Sequence, residues 1–129
     1  MKMKKLMILL LMAICVLGLS GCTHSMATFM AESYNDNTFD LTFESFDGEK
    51  DCYMDVPKKS DGVLNYSGSI ESGSITVYYK SGGSKKELMT LNGKDSTTGS
   101  IDGIKKSGLK LYFETDGECT NGDFSFEIE

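Results

Sequence analysis

Cysteine carries the most specific chemistry in this chain, and there are four of them, Cys15, Cys22, Cys52 and Cys119. A thiol can take a lipid, close a disulfide, hold a metal or attack a carbonyl, and its surroundings select among these. Cys15 follows the bulky Ile14 inside an unbroken apolar run. Cys22 follows Leu19-Ser20-Gly21, whose two small residues leave an extended, accessible backbone before the thiol. Cys52 and Cys119 are left as an even pair, which in an exported domain is a candidate disulfide. Such a bridge would close about 68 residues and constrain the unfolded chain by roughly 4 kcal/mol. A zinc site is not expected, because two cysteines without a neighbouring His fall short of a tetrahedral ligand set.

The other reactive types are sparse or scattered. The single His24 lies close to Cys22, in a stretch that reads as linker, so a Ser/His/Asp or Cys/His site would lack its base. Asp47, Glu49 and Asp51 have the one-three-five spacing of a calcium loop. The sixth position is Cys52 rather than Gly and the twelfth is Lys58 rather than Glu. Asn35, Asp36, Asn37 and Asp40 make a second oxygen-rich patch that reads as solvated loop. Acidic residues are too plentiful for any one pair to be singled out as a hydrolase site. The expectation is a non-enzymatic protein with no cofactor and no metal.

The beginning of the chain reads as an address. Met1-Lys2-Met3-Lys4-Lys5 is followed by 14 apolar residues, Leu6 to Leu19. A cationic start and a short greasy stretch are the marks of a secretory signal, and a membrane-spanning helix needs about 20 residues. Leu19-Ser20-Gly21-Cys22 resembles the lipobox of bacterial lipoproteins. That resemblance implies cleavage before Cys22, with its thiol accepting a diacylglyceryl group. Two acyl chains hold a protein on a bilayer where one binds only marginally. The implied location is the extracytoplasmic side of the cell membrane, with the membrane as a partner through the lipid.

Removing residues 1–21 takes Lys2, Lys4 and Lys5 with it and leaves 10 basic against 19 acidic residues, a net −9 where the whole chain carries −6. This charge excludes nucleic acid as a partner, since phosphate binding needs basic patches. The expected organisation is a signal peptide at 1–21, a lipidated Cys22 and tether over 22–37, and one folded domain over 38–129.

That domain alternates with period two. Phe39, Leu41 and Phe43 share one face, as do Cys52, Met54 and Val56. Leu64, Tyr66 and Ile70 follow, then Ile75, Val77 and Tyr79, and a short run over Glu87–Leu91. Leu109, Leu111 and Phe113, and finally Phe124, Phe126 and Ile128, are the clearest of all. Gly99–Ile104 is a weaker segment. Asp47-Gly48, Ser81-Gly82-Gly83-Ser84, Asn92-Gly93 and Asp116-Gly117 punctuate the runs, and Asn92-Gly93 suits a turn with positive φ at both positions. No apolar stripe at helical spacing persists beyond about two turns. Seven or eight short strands predict an all-β antiparallel sandwich of immunoglobulin-like or jelly-roll type, with a small closed barrel as the other arrangement.

Tyr53, Tyr78 and Tyr112 fall on the outward phase. If their strands are neighbours, the three rings form a patch flanked by Lys80 and Lys110 that can bind a protein or a glycan. Otherwise they are cross-strand packing on a solvated face. The expected role is therefore a membrane-anchored binding or interaction domain whose partner is an envelope or host protein or glycan. A second reading is an inhibitor of a host or envelope hydrolase, since small lipoproteins that inhibit lysozyme are also all-β. The chain has no Trp and lacks the Gly- and Trp-containing loop of that family.

Overall fold

The computed structural model describes residues 26–129, so the expected signal helix and Cys22 lie outside the described residues. Within them the chain forms ten strands and no helix. They are β1 (Met26–Thr28), β2 (Ala31–Tyr34), β3 (Thr38–Asp47), β4 (Glu49–Met54) and β5 (Leu64–Ile70), followed by β6 (Ser74–Lys80), β7 (Lys86–Asn92), β8 (Asp95–Ile101), β9 (Leu109–Thr115) and β10 (Cys119–Ile128).

Two antiparallel sheets face each other. One is ordered β1-β3-β10-β5-β8 with β2 also on β3, and the other is β4-β9-β6-β7. From β3 onward the chain changes sheet at every connection except the β6–β7 hairpin. The pairings are nested: β3 with β10, β4 with β9, β5 with β8 and β6 with β7. A long hairpin rolled into two layers gives this order. It settles the sandwich as a jelly roll rather than the immunoglobulin-like alternative, whose two sheets are composed differently.

The period-two phases hold. Phe39, Leu41, Leu109, Leu111, Phe113, Phe124, Phe126 and Ile128 are all buried in one core. Phe113 sits among Phe39, Phe124 and Phe126 at centroid distances of 6.4, 5.5 and 5.9 Å, edge-on to the last two. The six-stranded sheet also sets an aromatic ring over a directly opposite glycine at each of three successive pairings. Phe43 covers Gly122, Phe124 covers Gly68, and Tyr66 covers Gly99. The missing side chain makes room for the neighbouring ring, and the ring shields the bare backbone.

Three features depart from the sequence expectation. Part of the expected tether is strand: β1 and β2 pair with one edge of β3 in a single register, interrupted at Phe29. Their side chains are exposed, so they carry no apolar alternation to read. Alternation also slips on β3 and β10, where Phe43 and Phe46, and Cys119 and Gly122, are buried three residues apart. Phe29 (φ 49°) and Asn121 (φ 50°), the two non-glycine residues with positive φ among those described, lie in these breaks and mark a crease across the sheet. Finally, Asn92 stays in its strand with negative φ and only Gly93 (φ 65°) is left-handed. The Asn92-Gly93 turn is not a hairpin, because β7 and β8 belong to different sheets.

Candidate functional site

The outer face of the four-stranded sheet brings together the three outward tyrosines. β9 lies between β4 and β6, so Tyr112 is directly opposite Tyr78 on one side and Asp51 on the other. Tyr53 is one step along β4, opposite Lys110, and Lys110 is opposite Lys80. A bulge between Val77 and Tyr78 shifts the β6–β7 register where the tyrosine row crosses β6. Bulges re-aim side chains at such places.

Cations and rings interleave on this face. Lys110 Nζ lies 4.9 Å from the Tyr53 ring and 5.0 Å from the Tyr112 ring, and 3.0 Å from Asp51 Oδ2. Its pKa is held above the ordinary lysine value, first by the hydrogen bond to Asp51 and then by that to Tyr53. Lys85 Nζ lies 4.5 Å from the rings of both Tyr78 and Tyr112 and donates to Glu114 Oε2 at 3.0 Å. Exposed cation–π contacts contribute about 0.5–1 kcal/mol each. Tyr53 is 68% exposed beside them. Between Tyr53 and Tyr112 is a recess of about 230 Å³, lined also by Lys80, Lys110, Gly82 and Ser107. Lys85 is the contributor that sequence reading missed. It follows the Ser81–Ser84 turn, and only the folded hairpin turns it back over the row. A second groove of about 960 Å³, on the other side of Gly82, is lined by Tyr79, Lys86, Ile101 and Lys105. Its walls come from three separate connections.

Cys52 and Cys119 are buried free thiols, and the expected disulfide is absent. Cys52 lies on β4 opposite Leu111 and accepts a hydrogen bond from the Tyr34 hydroxyl. Cys119 starts β10 opposite Phe46 in the other sheet. The two cysteines therefore lie in different sheets, Cys52 on β4 and Cys119 on β10, each opposite a core residue of its own sheet. A disulfide needs Cα atoms within about 7 Å. The link between the start and the end of the domain is instead the β3–β10 ladder itself.

Burial pushes the Cys52 thiol up to about 12 and the Cys119 thiol up to about 11, from an ordinary 9. Folded-state values above the unfolded ones mean full stability below pH 9 and a loss as pH rises toward 11–12. In the native protein both thiols should resist alkylation at pH 8 and react fully in denaturant without reductant. Recovery of only blocked thiols in denaturant would restore the bridge.

The acidic stretch does not converge. Glu49 and Asp51 point outward along β4, and Asp51 is taken by Lys110. Asn35 closes the β2–β3 turn through its N–H to the Thr38 carbonyl, and the Asn37 side chain donates to the Ile128 carbonyl. Among the described residues no group of three His, Cys, Asp or Glu is placed to hold a metal.

No family model matches the chain, and no curated protein matches it. Solved structures similar to it include a carbohydrate-binding module in complex with beta-1,4-galactotriose, at 17% identity over 78% of this chain and 69% of that one, TM-score 0.44. A cupin-2 domain protein from Shewanella frigidimarina is similar at 8% identity over 81% and 83%, TM-score 0.39. A Bacillus endospore appendage protein of disulfide-linked pili is similar at 13% identity over 83% and 91%, TM-score 0.44. These likenesses concern the β-sandwich fold alone.

Proposed function

We propose that this chain is a non-enzymatic binding domain, held at the extracytoplasmic face of the membrane by a lipid on Cys22, with Tyr53, Tyr78 and Tyr112 as its contact surface. The observation that carries the binding role is the cluster of three rings, Tyr78 directly opposite Tyr112 and Tyr53 diagonal to it, interleaved with Lys85 and Lys110 and open to solvent at Tyr53. Aromatic rings held at a surface by cations contribute large contact area at low entropy cost on binding.

The start of β1 supports an orientation. Three residues, Thr23, His24 and Ser25, lie between Cys22 and Met26, so a lipidated Cys22 lies at most about 14 Å of chain from the sheet. Met26 pairs with Asp47, at the end of the sandwich that also carries Glu49, Asp116 and Glu118. Those carboxylates are repelled by an anionic bilayer, so that end does not insert and is held near the surface only by the lipid. The recess opens at the other end of β4 and β9, away from the membrane.

The test compares three forms of the protein. Full-length Cys22→Ser should leave the membrane fraction or accumulate uncleaved. Residues 23–129, which contain all ten strands, should cosediment with delipidated envelope material. Tyr53→Ala/Tyr112→Ala in that form should weaken cosedimentation by about tenfold, which corresponds to about 1.4 kcal/mol. Equal cosedimentation of parent and double variant contradicts the assignment of this face.

A further inference from the structure

The recess beside Tyr53 carries a local excess of positive charge. Lys80 and Lys110 are directly opposite each other across β6 and β9, on the solvent side of the sheet. Like charges at directly opposed cross-strand positions destabilise a sheet. Lys110 has Asp51, and Lys85 has Glu114. No ion pair among the described residues takes Lys80. The whole chain carries 19 acidic residues against 13 basic, so a lysine left without a carboxylate partner beside another lysine is not a consequence of composition.

The rest of the lining is polar or aromatic. Gly82 and Gly108 expose backbone, Ser107 adds a hydroxyl, and Leu109, the one aliphatic residue, is itself buried. A protein partner would look for an apolar pocket to anchor a large side chain. None is offered. At about 230 Å³ the recess is below the roughly 300–1,000 Å³ of sites that enclose a drug-sized ligand. It accommodates one unit of a longer, solvent-exposed chain.

We infer that this recess takes an acidic saccharide, with the sugar's carboxylate, sulfate or phosphate between Lys80 and Lys110 and its ring face on Tyr53. The bound anion relieves the opposition of the two ammonium groups, and the exposed tyrosine presents a flat π surface to the C–H face of the sugar. The inference rests on the binding role proposed for this face and adds the class of ligand to it.

Residues 23–129 would be titrated, with amide chemical shifts as readout, against three probes. These are a tetramer of galacturonic acid, the neutral galactose tetramer, and a tetra-glutamate peptide of equal charge. The acidic sugar should give saturable shifts at Tyr53, Lys80, Lys110 and Tyr112, and should weaken with added salt. Lys80→Gln should weaken it by about fivefold, the upper end for one exposed charge pair. The variant's melting temperature without ligand should equal or exceed the parent's, because one of two opposed charges is gone. Equal affinity for acidic and neutral tetramers would overturn the anion assignment. Tighter binding of the peptide, or no shift from either sugar at millimolar concentration, would overturn the saccharide. In each of these cases a loss of envelope binding in Tyr53→Ala/Tyr112→Ala would still stand, so the two failures are distinguishable. A lower melting temperature in Lys80→Gln would mark Lys80 as a structural residue and count against the site.

Discussion

Phe113→Ala should cost about 3–5 kcal/mol, the largest loss expected from any single truncation in this domain. The ring is fully buried at the centre of the core and packs against Phe39 and Phe124 from the first and last strands of the nested roll, and against Phe126. Removing it leaves a cavity walled by rings that cannot collapse inward, because each is fixed by its own strand. Stabilities of single domains are about 5–15 kcal/mol, so the variant is expected to be partly unfolded at 37 °C. Urea titration followed by tyrosine fluorescence would measure it. Phe113→Leu keeps most of the volume and should lose well under half as much. A loss below about 1 kcal/mol for the alanine variant would mean that the two sheets are not packed through this ring.

Gly122→Ala should cost about 1–3 kcal/mol, the range for overpacking, although alanine has the higher strand propensity. The backbone at Gly122 is not left-handed, so no conformational strain opposes the substitution. The cost comes from the Phe43 ring, which occupies the space of the added Cβ. At Gly68 the same test applies, since a Cβ there would meet Phe124 Cδ1 at 2.7 Å and Met89 Sδ at 2.8 Å. A drop of about 8–16 °C in melting temperature corresponds to roughly 2 kcal/mol in a domain of this size. In a double-mutant cycle, Phe43→Leu should recover a large part of the Gly122→Ala loss, because the leucine vacates the site. Additive losses would show that the glycine is required for some other reason.

Much of the sandwich was legible because its strands are half-buried. Phe39-Leu41-Phe43 on β3 and Phe124-Phe126-Ile128 on β10 each face one core, and period two follows directly from the pleat. What was not legible needs pairing information. β8 reads Asp-Ser-Thr-Thr-Gly-Ser-Ile, and as an edge strand it buries too little to need an apolar phase. β1 and β2 bury nothing and so looked like linker. Cys119 starts β10, buried in one sheet just before the crease at Asn121, while Cys52 is buried in the other. That placement defeats the disulfide inference from cysteine parity. The outward phase of Tyr53, Tyr78 and Tyr112 was readable residue by residue, whereas their adjacency depends on β9 inserting between β4 and β6. Lys85 could be placed only after the hairpin was closed.

The binding role is most directly tested by the accessibility of Tyr53 in place. Whole cells carrying the lipidated protein, and purified residues 23–129, would be treated with a tyrosine-nitrating reagent and the peptides quantified by mass spectrometry. In the free domain Tyr53, at 68% exposure, should be nitrated readily. In the envelope, with the face engaged, its nitration should fall by about tenfold, as expected when about nine-tenths of the sites are occupied. Nitration of Tyr53 at the same rate in the envelope as in the free domain would contradict the claim that this face binds.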